Sequence, residues 1–204
     1  MRENFTDLRV VRTIEAIKEA LVELIEEKGF ESITVKDITS KAKINRGTFY
    51  AHYRDKYDLM NRYQDELMGV MTNNVKHNLS KLLTDLSTNS TNKIPIEMTV
   101  LICDFLDRNR RFMKAVLGPK GDISFQTKLK NFISKALLEN YGSIVAQEKL
   151  LVPEEYLITY IASAHIGIIQ QWLLEEKKES SQEISEILLT ITLNGPFVAA
   201  GLKK

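Results

Sequence analysis

The chain has one cysteine among its 204 residues, Cys103. A lone cysteine excludes an internal disulfide framework and suits a reducing cytoplasm. Cys103 stands between Ile102 and Asp104 in an apolar helical stretch, and nothing near it in sequence favours a thiolate. It is expected to be an inert core residue, with redox sensing the minor alternative. No apolar run is expected to be long enough to cross a bilayer, and the opening Met-Arg-Glu-Asn-Phe begins no signal peptide. No nucleophile elbow, Walker loop or dinucleotide-binding glycine fingerprint occurs. His52, His77 and His165 share no metal-ligand spacing with one another or with Cys103. An enzyme, a metal site and a bound cofactor are therefore not expected. Charge of one sign is lacking too: 28 basic side chains stand against 27 acidic ones, for a net of +1. A polycation that coats nucleic acid would be basic throughout.

What the chain does have is a pair of short helices with their own start signals. Thr34 is a good N-cap, because its hydroxyl can accept a first-turn backbone N–H. Asp37 suits the positive end of that helix, and Ile33 and Ile38 occupy the positions of a hydrophobic staple. The pattern repeats with Asn45 as cap and Ile44 and Phe49 as staple. Helix, three-residue turn, helix is the geometry of a helix-turn-helix, whose second helix enters a DNA major groove. Phe49 and Tyr53 share one face and should pack inward on Ile38, so the opposite face centres on Gly47 and Ala51. Glycine costs a surface helix about 1 kcal/mol relative to alanine, and a small residue there lets the backbone approach base edges. Arg46 can reach a guanine and Ala51 a thymine methyl, while Thr48, Tyr50 and His52 offer donors to phosphate oxygens.

Asp55 reads as the N-cap of a further helix, which places Lys56 in its first turn against the helix dipole. A phosphate at that helix end would relieve the conflict; a lysine that snorkels into solvent is the plain alternative. Residues 33–57 hold six basic side chains and two acidic ones, a net of +4, whereas residues 1–32 hold five basic and eight acidic, a net of −3. Positive charge concentrated in one element is the mark of a docked footprint on double-stranded DNA.

The run from Arg9 to Leu59 resembles the DNA-binding domain of the TetR family of bacterial transcriptional regulators. The residues that carry the resemblance are Gly29-Phe30, Ile-Thr-Val-Lys-Asp-Ile from Ile33, Arg-Gly-Thr-Phe-Tyr-Ala-His-Tyr from Arg46, and Asp-Lys-Tyr-Asp-Leu from Asp55. It implies DNA contacts from Thr34, Lys36, Arg46, Gly47, Thr48, Tyr50, His52 and Lys56. Lys43 departs from the pattern, since the family usually has glycine in the turn. A left-handed Lys43 would carry about 1 kcal/mol of strain. Ala51 replaces what is often a larger side chain, so base specificity does not transfer.

The remainder reads as helical, with no convincing period-two segment and no repeat, so the fold class is all-α. A three-helix reading domain over residues 1–57 is followed by a helical regulatory and dimerisation domain over 58–204. Val10, Ile14, Ile17, Leu21 and Leu24 make the first apolar stripe, ended by Gly29. A helix from Lys56 runs well past Met68, and the polar stretch Leu86–Lys93 is the best loop candidate. Pro95 suits a helix start, Gly118-Pro119 closes the short helix from Arg111, and later helices cover about Ser124–Tyr141, Glu154–Glu176 and Gln182–Leu193. Gly195-Pro196 must break or kink the last.

The last two stripes carry Ile161, Ile168 and Trp172, then Ile184, Leu188 and Ile191. They suit either an intrachain core or a homodimer, and the resemblance implies a two-fold dimer through a four-helix interface. Arg110-Arg111-Phe112 leading to Leu117-Gly118, and Ile161 through Trp172, also resemble the C-terminal domain of dihydroxyacetone-kinase-type TetR regulators. A small apolar or aromatic effector could lie among Met98, Phe105, Phe112, Met113, Phe125, Phe132, Tyr160, His165 and Trp172. Such residues at helical spacing form plain core more often than a ligand site. The expected protein is a cytoplasmic repressor, without a membrane partner, released from a palindromic operator by that effector. The alternative is a regulator controlled by a partner protein.

Overall fold

The computed structural model describes residues 8–85, 94–141, 150–175 and 179–202, with no strand among them. The loop expected at residues 86–93 lies outside this set. Nine α-helices follow in order: α1 (Leu8–Lys28), α2 (Val35–Lys41), α3 (Arg46–Tyr50), α4 (Lys56–Asp85), α5 (Ile94–Arg108), α6 (Arg110–Leu117), α7 (Ile123–Tyr141), α8 (Glu154–Leu174) and α9 (Ser181–Ala199). A 3₁₀ turn at Phe30–Ser32 links α1 to α2. The expected helices are all present, most within a few residues of their expected ends, as fraying termini allow.

The first four helices build the reading head. Ile17, Leu21, Leu24 and Ile25 of α1 are buried together with Ile33, Ile38, Phe49 and Tyr53. Each of these side chains contributes about 2 kcal/mol of apolar burial, which is what holds two helices of five and seven residues that would not form alone. Lys28, closing α1, reaches Asp37 at 2.7 Å, so a cation at one helix C-terminus meets a carboxylate at the next N-terminus.

In the body, α5 packs against α9 and α4, α7 against α8, and α6 lies among α1, α7 and α8. One cluster of buried side chains runs from Ile17 and Phe49 through Met60 and Leu67 to Phe112, Phe125, Trp172 and Leu188. The two parts thus share a core, and α4 belongs to both. Arg110 ties α6 to α8: its guanidinium bonds the Trp172 carbonyl at the C-terminal end of α8 and lies 5.1 Å from the indole. The α8 helix corrects one expectation. It is long and apolar enough to cross a bilayer by length and composition, with a mean hydropathy of 1.3 and only 28% of that window buried. Its inner face, with Ala162, Ile166, Ile169 and Trp172, packs within the chain.

Two punctuation marks work as anticipated. Gly195 takes φ 76°, which separates the end of α9 from the rest and accommodates Pro196. Lys43 takes φ 56°, the one non-glycine residue with positive φ among those described. The turn between α2 and α3 therefore holds a left-handed lysine. Lys43→Gly is expected to raise stability by about 1 kcal/mol, read as a higher urea midpoint at unchanged m-value.

Candidate nucleic-acid interface

The orientation of α3 follows from its cap and its anchor. Asn45 accepts the Thr48 backbone N–H at 2.7 Å, and Phe49 is fully buried beneath the helix. Arg46, Gly47, Tyr50 and Ala51 consequently face solvent, as do Thr34 and Lys36 on α2. The helix ends at Tyr50, so His52 sits in the following turn, half-buried, its backbone N–H on the Phe49 carbonyl. Gly47 also has a local reason to be glycine. A Cβ there would come within 3.3 Å of the Asn45 carboxamide oxygen that caps the helix.

The hydroxyls of two residues expected at the DNA are already engaged. The Thr48 hydroxyl donates to the Asn45 oxygen at 3.0 Å, and the Thr34 hydroxyl donates to Asp37 at 2.6 Å. Thr34 and Asp37 form a complete capping box, with the Thr34 backbone N–H returned to the carboxylate at 2.8 Å. Hydrogen bonds from Lys28 and Thr34 hold the Asp37 carboxyl well below the usual carboxylate range. Each hydroxyl has one proton, so neither is a spare donor in this arrangement.

Lys56 is likewise committed. Its ammonium donates to the carbonyls of Phe30 at 3.0 Å and Glu31 at 2.7 Å, and lies 5.0 Å from the ring centres of both Phe30 and Tyr57. The positive end of α4 is met by two carboxylates: Asp55 accepts the Asp58 N–H at 2.7 Å, and Asp58 accepts the Arg54 N–H at 3.0 Å. That backbone bond, aided by Arg62, lowers the Asp58 carboxyl. The expected dipole conflict is thus relieved inside the protein, and one of the three ammonium protons of Lys56 remains for a phosphate. Arg54, with 84% of its side chain exposed, reaches Asp58 at 3.4 Å and was not among the expected site residues. Its place one residue before the α4 cap was the signal available.

In the body, Met98, Phe105, Phe112, Met113 and Phe125 are buried, and Phe132 and His165 are half-buried. Phe112 joins Tyr63 at 4.2 Å and Phe125 at 5.9 Å, a packed aromatic junction between α4, α6 and α7. Tyr160 does not join this set, for it is 54% exposed on the outer face of α8. Of the expected dimer contacts, Trp172, Ile184 and Leu188 lie within the chain's own core, while Ile161, Ile168 and Ile191 are half-buried. The Trp172 indole N–H spends its proton on the Glu179 carbonyl at 2.7 Å. Cys103 is buried beside Ser185, and desolvation pushes its thiol up to about 11, which suits an inert core residue.

A capped, inward-locked α2 and α3 with a solvent-facing α3 is a DNA-binding head of the helix-turn-helix class. A family model described as "Bacterial regulatory proteins, tetR family" matches residues 17–63, and one described as "Transcriptional regulator C-terminal region" matches residues 93–194. The chain belongs to the TetR family of transcriptional regulators. It is 45% identical over 60 residues to an uncharacterised HTH-type transcriptional regulator, YxbF, of Bacillus subtilis (strain 168). That stretch covers 29% of this chain and only 16% of that protein. Among solved structures, a TetR transcriptional regulator from Streptococcus agalactiae 2603V is 25% identical, with a TM-score of 0.61 over 91% of this chain and 96% of the other. The dihydroxyacetone kinase operon activator DhaS shares the fold at 18% identity and a TM-score of 0.53, covering 91% and 97%. FadR from Bacillus subtilis, solved in complex with stearoyl-CoA, shares it at 14% and 0.61, covering 89% and 98%.

His165 carries a pH dependence. Its Nε2 lies 2.8 Å from the Thr192 hydroxyl oxygen, and that hydroxyl gives its proton to the Leu188 carbonyl at 2.7 Å. Nε2 of the imidazole must therefore carry a proton and donate it. Burial lowers the pKa of His165 from 6.5 to about 4. A depressed folded value means that its contribution is complete above pH 6.5 and is lost as pH falls towards 4. Urea unfolding should show about 2 kcal/mol lost to this group between pH 7 and pH 5, and His165→Gln should flatten that slope.

Proposed function

We propose that this chain is a cytoplasmic repressor that binds a palindromic operator as a homodimer and is released by a small apolar or aromatic effector. The observation that carries the reading is the outward face of α3, with Arg46, Gly47, Tyr50 and Ala51 exposed over a fully buried Phe49. Arg46 reads a base, while Lys36, Tyr50, Arg54 and the remaining proton of Lys56 anchor the backbone. Thr34, Thr48 and His52 hold the two helices in register beside them. Arg46→Ala should weaken binding by about 1–3 kcal/mol and relax preference at one position per half-site. Binding to a panel of single-base operator variants checks this, and an unchanged preference would remove Arg46 from base reading.

The dimer reading rests on what α8 and α9 leave uncovered. Tyr156 and Tyr160 on α8 and Ile187, Leu193 and Phe197 on α9 are exposed, with Leu193 and Phe197 at 67% and 74%. Ile161, Ile168 and Ile191 border them, and the buried Trp172, Ile184 and Leu188 back the face from inside. Exposed apolar side chains on two neighbouring helices are what two-fold pairing would cover. Leu193→Asp should halve the mass seen by sedimentation at micromolar concentration, because pairing would bury an unpaired charge. Retention of a dimer would place the interface elsewhere.

Effector control draws support from FadR, solved with a bound acyl-CoA, and from the aromatic and methionine residues around Phe112 and Phe125. An effector that prefers one spacing of the two heads shifts the population, and operator and effector must alter each other's affinity by the same factor. Control by a partner protein is the second reading. The segment just before α8 favours it, since Leu151 and Val152 are exposed there, outside the face assigned to the dimer.

A further inference from the structure

The turn between α2 and α3 closes α2 by backbone bonds alone. The Ile44 N–H donates to the Thr39 carbonyl at 3.0 Å and the Lys43 N–H to the Ser40 carbonyl at 3.3 Å, the paired bonds of a Schellman ending. Such an ending needs one residue in the left-handed region, and Lys43 supplies it at φ 56°. Glycine meets that need with no Cβ in the way. The lysine side chain therefore adds nothing to the closure and makes its backbone form less favourable. Nor is it needed to balance the dipole of α2, because Lys41 already stands in the last turn of that helix.

The charge of Lys43 is also unspent. Its side chain is exposed, and its ammonium has no partner among the described residues. Most cations around it are neutralised within the chain. Lys28 reaches Asp37 at 2.7 Å, and Lys41 pairs with Glu23 at 2.9 Å and with Glu27. Arg54 reaches Asp58, and Lys56 donates to two carbonyls. Within residues 33–57, Lys36, Lys43 and Arg46 are the cations left without a partner among the described residues. Lys36 and Arg46 belong to the DNA-reading face on α2 and α3, and Lys43 stands in the turn that joins those two helices. A left-handed backbone at an exposed residue whose side chain serves nothing inside the fold points to a use outside it.

Reach decides what that use is. Lys43 precedes Arg46 by three residues, so their Cα atoms lie at most about 10 Å apart. The major groove that admits a helix is about 12 Å wide, with a phosphate backbone on either side. With Arg46 at the base edges, Lys43 falls at the rim, where its flexible four-carbon stem can bring the ammonium to a phosphate oxygen. A lysine there holds charge without reading a base.

We propose that Lys43 is a phosphate anchor at the rim of the major groove, a contact that the turn does not need and that a glycine at this position cannot make. The proposal rests on the DNA-reading face described above, but not on any effector. The side chain gives up stability in the free protein and returns affinity on the duplex.

The test uses the full-length protein, a duplex selected by the wild type from random DNA, and single-base variants of that duplex. Lys43→Gly and Lys43→Asn remove the charge while keeping residues that accept the left-handed turn, and Lys43→Arg keeps the charge. Lys135→Gln on α7 removes one positive charge outside the reading head. Binding is measured between about 50 and 200 mM salt. For Lys43→Gly and Lys43→Asn, the slope of log affinity against log salt should become shallower by about 0.9 per bound head, and affinity at low salt should fall at least about fivefold. Preference among the single-base variants should stay that of the wild type, unlike Arg46→Ala. Lys43→Arg and Lys135→Gln should keep the wild-type slope. Because Lys43→Gly is also expected to raise the urea midpoint, a damaged fold does not explain weaker binding. Acylation of lysines by a small activated ester, read by mass spectrometry, gives a second measure: bound duplex should slow labelling of Lys43 at least about fivefold and leave Lys135 unaffected. A wild-type slope in Lys43→Gly would overturn the proposal, and so would equal labelling of Lys43 with and without duplex. An equal loss of slope in Lys135→Gln would reduce the effect to net charge and overturn it too. A wild type that enriches no sequence would instead fail the DNA-reading face itself, and the anchor with it.

Discussion

Burial of Phe49 beneath α3, against Ile38 and Tyr53, fixes the rotation of a helix only five residues long. So short a helix has no stability of its own, and its orientation is whatever its anchor dictates. With Phe49 inward, Arg46, Gly47 and Tyr50 have nowhere to point but outward. The Asn45 cap then fixes the start of the helix. Loss of the ring would cost more than packing energy, because the exposed face would no longer be one defined surface.

Much of this was legible from residue pattern because both helices obey local rules. Thr34 and Asn45 cap as their chemistry dictates, the isoleucines and Phe49 staple, and Lys43 is left-handed where a glycine is usual. Hydrogen-bond competition was not legible. A sequence shows that Thr34 and Thr48 have hydroxyls, but it does not show that Asp37 and Asn45 take the protons. Lys56 is the same case across a longer distance: its carbonyl partners lie 25 and 26 residues back, beyond any local pattern.

In the body, helix existence was readable and facing was not. Apolar periodicity marks α8 and α9, yet an isoleucine stripe reads alike whether it meets its own chain or another. Ile184 and Leu188 turn inward while Leu193 and Phe197 stay out, and only the packing of α5 against α9 decides between them. Tyr160 fails as a lining residue for the same reason. Gly118 was legible as the stop of α6, whereas Gly121, where a Cβ would meet a carbonyl five residues earlier, was not.

The length of α4 has a mechanical consequence. Its 30 residues make a rod of about 45 Å. The buried Gln64, whose amide donates to Asp122 at 2.9 Å, grips it about 12 Å from the reading end, with about 31 Å beyond. A rod pivoting there behaves as a lever with unequal arms. To carry a head by about 3.4 Å, the rise of one base pair, its far end would have to swing by about 9 Å. A densely packed helical interior resists so wide a swing.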